Sequence, residues 1–151
     1  MKHHATYERF GGDQGLIRAY EHWSVLIRPK QATLGACVIV AHSDVQSMGD
    51  LPDAAFAEFG RVVRDLEAAW RASFAPDKRN YLCLMMVDRE VHYHALPRFE
   101  APRMFEGSER ADPGWPGPPD LSASVGDVAD AARAALASAW PASGEGTPSQ
   151  D

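Results

Sequence analysis

The segment Glu90-Val91-His92-Tyr93-His94-Ala95-Leu96-Pro97-Arg98 carries the residue types best suited to do chemistry. In an extended strand side chains alternate between faces, so Glu90, His92 and His94 fall on one surface and Val91, Tyr93 and Ala95 on the other. Successive members of the trio would stand about 7 Å apart. A carboxylate and two imidazoles at that spacing can act as nucleophile, proton donor and orienting group, or as ligands of a divalent metal. They can equally face solvent on an edge strand, and spacing alone does not choose among these.

The elements that must position this trio are legible around it. Leu16 to Glu21, His22 to Arg28 and the apolar run Leu34 to Ala41 read as three strands, with Arg28-Pro29-Lys30-Gln31 as a connecting loop. Asp50-Leu51-Pro52-Asp53 suits the start of a helix. Phe56, Phe59, Val63, Leu66 and Trp70 then recur at helical spacing, with Val62 widening the stripe and Glu58, Arg61, Arg64, Asp65 and Arg71 on the other side. Pro76 should end that helix, because the residue before a proline avoids helical angles. Tyr81 to Val87 is continuously apolar, as in a strand covered on both faces, and Asp88-Arg89 would connect it tightly to the strand Glu90 to Phe99. Pro97 marks an edge or a strand terminus. Asp112 to Pro119 is a Pro/Gly-rich loop anchored by Trp115, and Val128 to Trp140 is an Ala-rich helix.

These elements define an α+β fold: an antiparallel sheet of about five strands packed with one long helix, followed by a C-terminal loop and helix. The expected organisation is a core over residues 1–100, an extension over 101–140 packed on it, and a disordered tail over 141–151. A length of 151 residues is one domain's worth. With 15 Lys+Arg against 21 Asp+Glu, the net charge of −6 disfavours binding to extended nucleic acid or to an anionic membrane. The sequence has no apolar run of the roughly 18 residues a membrane span needs, which makes the cytoplasm the expected location. Cys37 and Cys83 sit in apolar runs and read as small buried hydrophobes. His22 and His42 read as surface histidines, and His3 and His4 as part of a mobile terminus.

Strand order, amphipathic helix, apolar strand and the motif VHYHALPRF together resemble the histidine triad superfamily of nucleotide hydrolases and transferases, over residues 16 to 99. Its signature is His-φ-His-φ-His-φ-φ, with φ apolar, often closing in Pro-Arg. The resemblance implies that His92, as the middle histidine, attacks an α-phosphorus to form a nucleotidyl-histidine, and that His94 steadies phosphate oxygens. It implies a nucleotidyl substrate such as a dinucleoside polyphosphate or phosphoramidate, no metal or other cofactor in the covalent step, and a homodimer. Arg28 and Gln31 follow the second strand, where the family's nucleotide pocket lies. With Asn80 and Arg98 they are the candidate nucleotide-binding residues, or else surface charge and a turn former.

Departures from the family pattern accompany the match. Glu90 stands where the first histidine is expected, and could orient an imidazole, act as a base or mark a lost activity. Asp88-Arg89 is too short for the longer loop that brings a polar side chain to the α-phosphate in several members. Met86 and Ile27 fall where a polar residue and a ribose-binding acid often occur. Two further readings therefore stand beside the enzyme: a nucleotide-binding domain with weak or lost catalysis, and a Glu/His metal site.

Overall fold

A computed structural model describes residues 4–142. Its main sheet has five antiparallel strands: β1 (Leu16–Ala19), β2 (Trp23–Ile27), β3 (Cys37–Ala41), β4 (Lys78–Leu82) and β5 (His92–Arg98). They lie in the order β1-β2-β3-β5-β4, so β5 is internal and β4 is an edge. Pro97 is tolerated because it sits one residue from the end of β5.

The two faces of the sheet are covered unequally. Val25, Ile27, Cys37, Ile39 and Ala95 face α3 (Asp53–Ser73) and α4 (Ala129–Ala139) in one large apolar core. On the opposite face Leu26, Val38 and Val40 form a separate small apolar cluster with Tyr7 and Phe10. Those two residues come from α1 (Ala5–Arg9) and the turn before α2 (Gly12–Gly15). Gly11 and Gly12 have φ of 111° and 54°, left-handed values that favour glycine and let the chain double back between the two short helices.

Helix α3 ends at Ser73, before Pro76, as the sequence requires. Its buried stripe is rotated from the expected one. Ala55, Val62, Leu66, Ala69 and Trp70 point inward, while Phe56 is 45% exposed. The small Ala55 and Ala69 let the helix backbone approach the sheet, and the Trp23 indole donates to Ala55 O at 2.8 Å. Phe59 lies at the margin, stacked between Trp23 and Tyr93.

The apolar run Tyr81 to Val87 is not one strand. Pairing stops at Leu82, which is opposite His94, and residues 83–91 form a loop back to β5. Met86 and Val87 are exposed in that loop. The connection before the histidines is therefore considerably longer than the two residues expected. Cys83 is half-buried in this loop, whereas Cys37 is a core residue whose thiol burial pushes its pKa up.

Beyond β5, β6 (Arg103–Phe105) and β7 (Ser108–Arg110) form a small hairpin. α4 contributes Ala132 and Leu136 to the core over α3. The Trp140 indole donates to Tyr20 Oη, which in turn donates to Asp65 on α3. Of the expected tail, residues 143–151 lie outside the described residues. No described helix is long and apolar enough to cross a membrane.

Candidate active site

His92 and His94 share the thinly covered face of β5, paired with Val40 and Val38 of β3. Their rings meet edge to face at 5.3 Å. Phe10 lies over both, with centroid separations of 5.6 Å and 5.5 Å. His92 is thereby only 2% exposed and His94 7%. Both imidazoles line a cavity of about 220 Å³ whose other walls are Arg9, Phe10, Arg28 and Leu84 to Asp88.

The tautomer of His92 is set by the backbone. Nδ1 donates to Glu90 O at 2.7 Å, because a carbonyl can only accept. The lone pair of the neutral ring therefore resides on Nε2. That is the arrangement a nucleophilic imidazole needs.

Glu90 itself departs from the alternation pattern. β5 begins at His92, two residues later, and the Glu90 carboxylate does not join the imidazoles. It accepts from Thr6 Oγ1 at 2.5 Å, lies 3.8 Å from His4 Nδ1, and lines a separate cavity with Gln46 and Arg89. The Thr6 hydroxyl holds its carboxyl below the usual range. Glu90 thus orients His92 through its main chain. With its carboxylate turned elsewhere, the one-faced Glu/His/His ligand set is not assembled, and no group of three metal-ligating side chains converges among the described residues. His4 is likewise not part of a mobile terminus: its ring caps α1 by accepting from Tyr7 N–H and donates to Ala41 O at 2.7 Å.

His94 is a neutral base at the cavity. Burial, then the Arg28 guanidinium, then His92 push its pKa down to about 4, and its Nδ1 has no hydrogen-bond partner. A folded-state value below the ordinary 6.5 means that the unfolded chain binds the extra proton first. Stability contributed by neutral His94 is therefore present above pH 6.5 and is lost as pH falls from 6.5 toward 4. The expected loss is on the order of 3 kcal/mol at most, and His94→Asn should remove that part of the slope in denaturant titrations at successive pH values. An unchanged slope would exclude a buried neutral imidazole.

Arg28 is the one candidate binding residue that shares the cavity with the histidines. Nη1 donates to Lys30 O at 2.9 Å, Nε is buried without a partner, and burial lowers its pKa. Gln31 is not brought there. Its amide is consumed within the β2–β3 loop, donating to Arg28 O and Ala36 O and accepting from Gly35 N–H. Arg98 and Asn80 lie farther along the same face, two positions and more beyond His94 on paired strands. Arg98 is buried in a two-pronged ion pair with Asp112 and also donates to Asn80 Oδ1 at 2.7 Å. These two border another cavity, with Lys78 and Trp115. Of the remaining histidines, His42 is half-buried between Ser24 Oγ and Glu21 O. Ile27 belongs to the core on the helix side. Phe10 is the site residue that sequence reasoning missed; Tyr7 and Phe10, three apart in an otherwise polar start, were the available signal.

A central antiparallel sheet, a long helix on one face and a His-x-His strand opening on the other define the histidine triad fold. Solved structures bear this out. The chain superposes on a histidine triad protein from Sinorhizobium meliloti with a TM-score of 0.68 at 17% identity, covering 89% of this chain and 93% of that one. A histidine triad protein from Bradyrhizobium japonicum gives 0.63 at 16% identity over 92% and 97%, and one from Marinobacter aquaeolei 0.62 at 18% over 89% and 90%. The sequence matches no family model and no curated protein.

Proposed function

We propose that the chain is a nucleotide hydrolase or nucleotidyl transferase that works through a covalent nucleotidyl-His92. The observation that carries this reading is the bond from His92 Nδ1 to Glu90 O, which leaves Nε2 as the nucleophilic atom of a ring lining a cavity. In the first step the Nε2 lone pair forms an N–P bond to the α-phosphorus. The bond from phosphorus to the leaving group breaks, and that group departs with the electron pair and takes up a proton. In the second step water, or another hydroxyl acceptor, attacks phosphorus and releases a proton to solvent, which balances the one the leaving group took from solvent. The N–P bond then breaks and returns its electron pair to His92.

Arg28 and His94 line the same cavity and are the groups assigned to steady the equatorial oxygens. Phe10 packs over both imidazoles and leaves His92 only 2% exposed, which narrows the approach to Nε2. The same covering supports a second reading, a nucleotide-binding domain with weak turnover. A homodimer belongs to the first reading, and the unpaired edge of β4 is a surface on which one could form.

Incubation with adenine and guanine dinucleoside polyphosphates and nucleoside phosphoramidates, followed by intact-mass measurement, tests both. The enzyme reading expects a nucleotidyl adduct that maps to His92. Calorimetric binding of nucleotide with no adduct and no product would establish the binding reading in its place.

A further inference from the structure

The loop between β4 and β5 turns a run of apolar residues outward beside the histidines. Leu84 is 49% exposed, Met86 86% and Val87 77%, and all three, with Met85, wall the cavity that holds His92, His94 and Arg28. Four consecutive apolar residues in a loop are unfavourable in water unless they meet something. The backbone adds to the oddity, because Met85 has φ of 53°, a left-handed value costly to a residue other than glycine. The loop is pinned at both ends: Cys83 Sγ touches Met85 Sδ at 3.4 Å, and Asp88 pairs with Arg9 at 3.3 Å.

The same cavity is lined by a cation. Arg28 spends one nitrogen on Lys30 O and leaves Nε buried and unpartnered. The cavity therefore combines the Arg28 cation, the two imidazoles and the Arg9–Asp88 pair with an apolar wall. We infer that its ligand is amphiphilic: a phosphoryl group at Arg28 and the imidazoles, joined to an apolar alkyl or aryl leaving group seated against Leu84, Met85 and Met86. Thioether and leucine side chains suit such a group because they are unbranched at the backbone and adapt to its shape. The placement of the phosphoryl group rests on the reading of His92 as nucleophile; the apolar seat rests on the loop.

The test is calorimetric titration of the full chain with inorganic phosphate and with methyl, butyl and hexyl phosphate. Affinity should tighten by about two- to fourfold per added methylene. In the double variant Leu84→Ser/Met86→Ser, both at exposed positions, the series should flatten while inorganic phosphate binds as before. Sedimentation of both proteins is measured in parallel. Affinity independent of chain length, a series unchanged in the double variant, or no binding of any member would each overturn the proposal. So would loss of a wild-type dimer in the double variant, which would assign the apolar run to a contact between copies. The readout needs no covalent chemistry. A steep series without a His92 adduct sinks the catalytic reading alone, and an adduct with a flat series sinks only the apolar seat.

Discussion

Replacing His92 by Asn should abolish the nucleotidyl adduct and lower turnover of any nucleotidyl substrate by about 10³-fold or more. Asn is the informative choice because its side-chain amide can still donate to Glu90 O, as Nδ1 does at 2.7 Å, while offering no lone pair on nitrogen to attack phosphorus. The ring it replaces is almost wholly buried, so some stability is lost, and the variant is compared at a temperature where circular dichroism shows it folded. Residual adduct formation within tenfold of the parent would remove His92 from the reaction. Loss of the adduct with nucleotide binding retained would locate the defect in chemistry rather than recognition.

The second large effect concerns stability. Arg98→Met should cost about 3–5 kcal/mol, equivalent to a fall of about 10–15 °C in Tm. The side chains of Arg98 and Asp112 are 4% and 0% exposed, and the carboxylate is approached at 2.7 Å and 3.1 Å by the guanidinium. Removing the cation leaves Asp112 charged, buried and answered only by the Phe99 and Gly114 amides. Asn80 loses its donor in the same step. Because Asp112 ties β5 to the Trp115 loop, that loop should loosen first, and hydrogen exchange at Gly114 and Gly117 would report it. A cost below 1 kcal/mol would mean that the pair is solvated in solution.

What could be read from the sequence divides along a physical line. Periodicities that repeat within one element were legible: β2, β3, the extent of α3 and the His-x-His strand all follow from local spacing. Features set by what lies across the fold were not. The run Tyr81 to Val87 has strand composition, but its pairing ends at Leu82 opposite His94, two residues short of the His92 end of β5, and the remainder leaves the sheet. Glu90 misses the imidazole face because it lies two residues before the start of β5, where strand alternation does not hold. Spacing of the large apolar residues predicts the stripe on α3 with Phe56 in it, whereas the small Ala55 and Ala69 are the buried ones and Phe56 is left outside. Gln31 and Arg98 carry the polar groups of a ligand site, yet both are committed to holding the chain. Only long-range partners such as Asp112 reveal that, and they are remote in sequence.

Phe10 belongs to a stretch pinned at its start by His4 and jointed by Gly11 and Gly12, so the His92 ring beneath it is mechanically linked to residues 4–12. A purification handle or a fused protein attached upstream would pull on that joint. Assays made with such a fusion would then measure the attachment as much as the site, so ligand titrations should be repeated after the handle is removed.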